Sequence, residues 1–223
     1  MTDSSPKRMR NQHLALLHIE SVPEDVWDQF CREIETEGLK FLRHQMSATG
    51  PQASIEAWMW PAIAVFIAKP YFDAFLKEAG RRHYGVLEDG LSRMWKRLFS
   101  RTDGVRFAVL RSDGEVKTEF SPAIAIYGEV RKGQLLKLVF ENGCSEHDYR
   151  MAIQMFLRLL DSYHCGAVSG DAVIDLDREE GRWGQIVVAL DRETDTLRVV
   201  GVPGQARRER TKGQAPAEPD SRE

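Results

Sequence analysis

The chain has 223 residues, of which 42% are hydrophobic and 29% charged, with a formal net charge of −3. This is the composition of a folded protein with a real core, and the near-zero net charge argues against nucleic acid as a partner. The three cysteines cannot all pair and the polar N-terminal stretch is not a secretory signal, so we expect a cytoplasmic protein.

The first elements predict a β-α-β-like unit over residues 13–53. Residues 13–20 form a compact apolar run, which is typical of a buried strand. Ser21 and Glu24 have the spacing of a capping box and predict the start of a helix there. Residues 39–44 predict a second strand, and a strand, helix and strand at this spacing favour a crossover connection.

The central region, residues 54–100, holds nine of the chain's twenty phenylalanine, tryptophan and tyrosine side chains. Its opening block, 55–68, is apolar on nearly every side, and we expect it to form a helix of about 21 Å. A bilayer core is about 30 Å thick, and extending the helix would place Lys69 and Asp73 inside the span. A membrane-spanning helix over 55–76 is therefore the minority alternative.

From residue 71 to 99, apolar residues recur at steps of three and four, which predicts a long amphipathic helix. Tryptophan and basic residues beside an apolar face are typical of helices that bind a partner's groove or a membrane surface. The alternative is that these helices only cover the sheet of their own domain. The predicted interaction surface comprises Trp58, Trp60, Phe66, Arg93, Trp95, Lys96 and Arg97.

The C-terminal half, residues 101–203, predicts an α+β sheet domain. Its strands are predicted at 105–110, 115–120, 123–127, 134–140, 171–177, 183–190 and 196–202. Ser145 and Asp148 resemble a capping box that opens a helix over 146–163. The chain as a whole therefore predicts an α+β fold, a mixed or antiparallel sheet covered by helices. Residues 1–12 and 204–223 are expected to be flexible or disordered tails.

Three aspartates could hold a metal ion. Asp171, Asp175 and Asp177 occupy alternating positions of a predicted strand and would share one face, where carboxylates can bind Mg²⁺. The alternative for this face is ordinary solvation.

The cysteine and histidine residues give a weaker indication of chemistry. Cys144 precedes a helix N-terminus, where backbone amides favour the thiolate, so it is the candidate reactive thiol. Together with His147, His164 and Cys165 it would provide four zinc ligands. However, the intervening helix would hold the two pairs roughly 25 Å apart, so we expect no zinc site and no cofactor.

The preferred interpretation is a non-enzymatic interaction protein that uses residues 55–99. Its partner would be another protein, a second copy of itself, or the cytoplasmic face of a membrane. The alternative is a metal-dependent hydrolase using the three aspartates.

Overall fold

The computed structural model of the chain describes residues 12–46, 61–79, 82–99, 109–111, 114–116, 119–130, 134–165 and 184–201, with residues 174, 176, 179 and 181. Strands of this part are β1 (Leu14–Ile19), β2 (Phe41–Met46), β3 (Ile63–Ile67), β4 (Val109–Arg111), β5 (Gly114–Val116), β6 (Ile124–Glu129), β7 (Leu135–Leu138), β8 (Gln185–Asp191) and β9 (Thr196–Val199). Its α-helices are α1 (Glu24–Ile34), α2 (Leu76–Ala79), α3 (Arg82–Phe99) and α4 (Glu146–His164), and a π-helical turn (Tyr71–Phe75) precedes α2.

Seven of the described strands form one mixed sheet in the order β2-β1-β3-β6-β7-β8-β9. Parallel and antiparallel neighbours alternate across it, beginning with the parallel pair β1–β2. The connection between the strands of each parallel pair contains a helix: α1, α3 or α4. The predicted α+β class and the strand-helix-strand unit at the N-terminus are confirmed.

One face of the sheet is covered by helices α1, α3 and α4. Every second residue of each strand in this seven-stranded sheet points to the helix-covered face, because side chains alternate along a strand. The helices contribute buried residues at helical spacing, such as Phe30 of α1, Leu91 of α3 and Phe156 of α4. Together they form the main hydrophobic core, so the helices are part of a closed layer on the sheet.

The N-terminus of α4 was predicted correctly. The side chain of Ser145 accepts a hydrogen bond from the backbone N–H of Asp148 at 3.1 Å, and the carboxylate of Asp148 accepts one from the backbone N–H of Ser145 at 3.2 Å. This reciprocal pair satisfies two backbone donors at the start of the helix.

The prediction of a helix over 55–68 is wrong where the structure describes that block. Ile63–Ile67 is a strand, β3, which pairs with β1 on one side and with β6 on the other. Its side chains are buried on both faces of the sheet, so the run is apolar throughout and lacks the alternation of a half-exposed strand. Its β-branched residues Ile63, Val65 and Ile67 favour the extended backbone.

Two helix boundaries also differ from the prediction. Helix α1 begins at Glu24 after Pro23, and no side chain caps it, so the predicted Ser21 cap is wrong. The single helix expected over 71–99 begins instead with the π-helical turn, and its further described parts are α2 and α3. The buried stripe of α3 nevertheless follows the predicted period.

Six of the seven strands predicted in the C-terminal half have counterparts among the described residues, β4 to β9. β4 pairs with β5, β6 with β7 and β8 with β9, all antiparallel. The predicted strand 171–177 lies mostly outside the described residues, and its described members Ile174 and Leu176 are buried but belong to no strand. No helix in the described ranges is long and apolar enough to cross a membrane.

Candidate interaction surface and buried polar groups

Two of the predicted surface arginines join α3 to α1. Arg93 Nε lies 3.0 Å from a carboxylate oxygen of Glu33, and Arg97 binds both oxygens of the same carboxylate. Burial alone would raise the pKa of Glu33, but the hydrogen bonds and charges of Arg97 and Arg93 outweigh it, and the pKa lies below its usual value. The two arginines therefore hold neighbouring helices together.

The other side of α3 is joined to α4 in the same way. Lys96 of α3 pairs with Glu146 at 2.5 Å. A second group of ion pairs has its cation on α4 and its carboxylates on α3: Arg150 lies 3.2 Å from Asp89 and 3.7 Å from Glu88. The basic cluster of the predicted surface consists of Arg93, Lys96 and Arg97, and each of these residues has a carboxylate partner within the protein. This pairing reduces the positive potential that the cluster offers to a membrane.

An aromatic pair marks the C-terminal end of α3. Phe99 is 41% exposed, and its ring centroid lies 5.3 Å from that of Trp95, which is half-buried. Trp95 in turn lies 5.3 Å from the buried ring of Tyr149 on α4. The exposed phenyl ring is therefore supported from behind by packed aromatic side chains.

The remaining predicted surface residues do not join this group in the described part of the chain. Phe66 lies on the interior strand β3, where its ring stacks on Tyr127 with centroids 4.5 Å apart. Trp58 and Trp60 lie outside the described residues.

The sheet face opposite the helices carries a buried lysine that sequence reasoning missed. Ala15, Phe66, Tyr127, Lys137 and Val187 are successive cross-strand partners on this face. Lys137 is 2% exposed, its amine lies 5.4 Å from the centre of the Tyr127 ring, and burial lowers its pKa to about 8. The available signal was a single cation within the apolar run Leu135–Phe140.

A second buried polar group fixes the turn before α2. The Nε2 atom of His83 donates to the backbone carbonyl of Ile34 at 2.8 Å, because a carbonyl can only accept. Nδ1 of His83 is then the acceptor for the hydroxyl of Tyr71, at 3.0 Å. Burial lowers the pKa of His83, which keeps the ring neutral as this pair of bonds requires. The arrangement has the character of a structural link between α1, α3 and the π-helical turn.

The candidate reactive thiol, Cys144, lies in a shallow surface depression lined in part by Asp148 and Arg192. Burial is the main reason that its pKa is raised, to about 11, with Asp148 adding to the effect. The expected lowering is therefore wrong, because desolvation and a nearby carboxylate outweigh the helix N-terminus. Beside it, the buried hydroxyl of Tyr149 has no hydrogen-bond partner in the described part of the structure.

Two metal sites were considered from the sequence, the three aspartates and the cysteine and histidine pairs. Asp171, Asp175 and Asp177 lie outside the described residues. Among the residues that are described, no group of three or more histidine, cysteine, aspartate or glutamate side chains is placed to hold a metal ion. As expected, Cys144 and His147 lie at the N-terminal end of α4, and His164 and Cys165 lie at its C-terminal end.

Comparisons with known proteins give no family for this chain. No protein-family model, curated protein or solved structure matches it. Its function is therefore argued from its own residues.

Proposed function

We propose that this is a non-enzymatic interaction protein that binds a partner protein through the C-terminal end of α3. The main support is Phe99, whose exposed ring rests on Trp95 and, through it, on the buried Tyr149. Aromatic residues that are exposed yet firmly supported contribute much of the binding energy at protein interfaces, since they lose little conformational freedom on binding.

The electrostatics favour a protein partner over a lipid surface. Membrane attraction needs several basic groups whose charge is available, and each adds about 1 kcal/mol near an anionic surface. Here Arg93, Lys96 and Arg97 pair with Glu33 and Glu146, which offsets that charge. A partly neutralised polar rim around an aromatic centre is the usual arrangement of a protein interface. Trp58 and Trp60 remain part of the proposed surface, and a cytoplasmic location remains part of the proposal.

The test replaces Phe99 with aspartate. The matched control is Val86→Asp, because Val86 lies near the other end of the same helix and is 36% exposed. Proteins cross-linked to the tagged chain in its source cells would be compared among the wild type and both variants. We expect Phe99→Asp to lose a cross-linked protein that Val86→Asp retains, while both variants keep the thermal stability of the wild type.

Flotation with phosphatidylglycerol-containing vesicles separates the two kinds of partner. If the wild type floats with these vesicles in a salt-sensitive way and Phe99→Asp abolishes flotation, the partner is a membrane surface and not a protein. Equal cross-linking by both variants, without flotation, would exclude this surface altogether. The alternative of a metal-dependent hydrolase using Asp171, Asp175 and Asp177 stays a prediction from the sequence.

A further inference from the structure

The outer edge of β2 has hydrogen-bonding groups that point away from the sheet. Towards β1, the carbonyl of Lys40 accepts from Leu14 at 3.2 Å and the carbonyl of Met46 accepts from Glu20 at 3.2 Å. Backbone groups alternate in direction along a strand, so the even-numbered residues of β2 face β1. The N–H and C=O groups of the odd-numbered residues Phe41, Arg43 and Gln45 therefore face outward. Within the described residues, no strand pairs with that side.

This edge lacks the features that usually prevent strand addition. Edge strands are commonly protected by proline, by a bulge or by a charged side chain that projects from the edge. β2 runs for six residues in unbroken register with β1 and contains no proline. Its one fully charged side chain, Arg43, is directed onto the ring of Trp27, with the guanidinium carbon 4.3 Å from the ring centre.

The opposite edge of the sheet is different. β9 has only four residues, and Arg198 on that strand lies 3.2 Å from Glu141 and 3.5 Å from Glu119. The side chain of Arg198 is thus engaged in ion pairs, and the strand offers a shorter row of backbone groups. Of the two edges, β2 is the one suited to pairing with another strand.

We propose that two copies of this chain pair through their β2 strands, antiparallel and about a twofold axis at His44. In this register Arg43 of one copy is opposite Gln45 of the other, and their outward groups form four backbone hydrogen bonds. His44 is opposite its own copy, and Leu42 is opposite Met46. Leu42 and Met46 already pack on the small cluster of the sheet face opposite the helices, so each apolar pair extends an existing apolar surface.

Side-chain pairing and strand overlap favour this register over those centred on Arg43 and on Leu42. Moving the axis to Arg43 would place two arginines directly opposite each other, which is unfavourable. Moving it to Leu42 would leave only residues 41–43 of the described strand paired. The proposed register overlaps over residues 42–46 and places each Arg43 opposite an uncharged glutamine. A pairing of this size buries little area, so the dimer is expected to be weak.

The test measures the mass of the full chain by sedimentation equilibrium over a wide concentration range. Gln45→Pro removes one outward N–H and leaves the bonds to β1 intact, because the N–H of Gln45 points away from β1. Its matched control is Gln45→Thr, which keeps the N–H and suits a strand. We expect a monomer–dimer equilibrium for the wild type and for Gln45→Thr, and loss of the dimer in Gln45→Pro.

A second variant covers the case in which Gln45→Pro fails to fold. His44→Lys places a permanent positive charge at the axis and should give a stable monomer at neutral pH. A wild type that stays monomeric at every concentration would overturn the proposal, as would a folded variant of either kind that dimerises like the wild type. The result is independent of the proposed function, because Phe99→Asp does not alter β2 and should dimerise normally.

Discussion

The two faces of the seven-stranded sheet are built from different kinds of residues. The helix-covered face carries branched aliphatic side chains, such as Leu16, Val65 and Ile126, which pack into one large core. The opposite face carries alanines together with Phe66, Tyr127 and Lys137; the alanines are Ala15, Ala64, Ala125 and Ala189. Both faces are largely buried, but among the described residues only the second face carries a buried lysine.

The difference separates two contributions to the free energy of folding. On the helix face, burial of apolar area contributes roughly 25 cal/mol per Å², and stability depends on close packing. On the opposite face, the desolvated amine of Lys137 makes the free energy of folding depend on pH. The following substitutions test that division.

The largest expected effect comes from the helix face. Phe156→Ala, on α4, removes a side chain that is fully buried in the main core, and should lower the free energy of unfolding by about 3–5 kcal/mol. Phe66→Ala, on the opposite face, removes a ring that is only half-buried, so its loss should be smaller. Urea unfolding of both variants measures the difference. Equal losses would show that the two faces contribute alike.

The second effect concerns the pH dependence of stability. The pKa of Lys137 is about 8 in the folded state, against an ordinary value of 10.5. Between these values the unfolded chain binds more protons than the folded one, so stability should increase as the pH rises through this window. The gain over the whole window is about 3 kcal/mol.

The control for that effect is Lys137→Met, which keeps the length of the side chain without its charge. Urea unfolding of both proteins between about pH 7.5 and 10.5 should show a wild-type stability that rises relative to the variant. Parallel curves would mean that Lys137 is charged as easily in the folded state as in the unfolded one.

The smallest effect lies on the outer side of the helix layer. Glu33→Gln removes the charge that binds Arg93 and Arg97, and should cost about 1–2 kcal/mol at neutral pH. Because the pKa of Glu33 is lowered in the folded state, this contribution should disappear as the pH falls through the carboxylate range. Glu37→Gln makes the same charge change at an exposed position and should have almost no effect at any pH.

Sequence reasoning succeeded where one side of an element faces water. In α4 and α3 the polar positions reveal the helical period, and the Ser145 cap marks where α4 begins. It failed for β3, because a strand that is buried on both faces has no polar side to reveal its period of two.

The contacts of the candidate surface were beyond sequence reasoning for another reason. Glu33 and Arg97 are 64 positions apart, and no local pattern links them. The sequence pattern of α3 therefore predicts a free basic surface, although the neighbouring helices supply its carboxylate partners. Phe99 shares the helical stripe of the buried Leu98, and only the packed structure shows which of the two side chains is exposed.

The β3–β6 pair is a seam between two parts of the chain that are each continuous in sequence. β1, β2 and β3 precede it, β6 to β9 follow it, and Ile63 pairs with Ile124 across a connection of roughly sixty residues. A chain cut within that connection would yield fragments with complementary strand edges, which suits this sheet to reassembly from two pieces. The same geometry permits domain swapping, in which β3 of one molecule pairs with β6 of another and every native contact is kept.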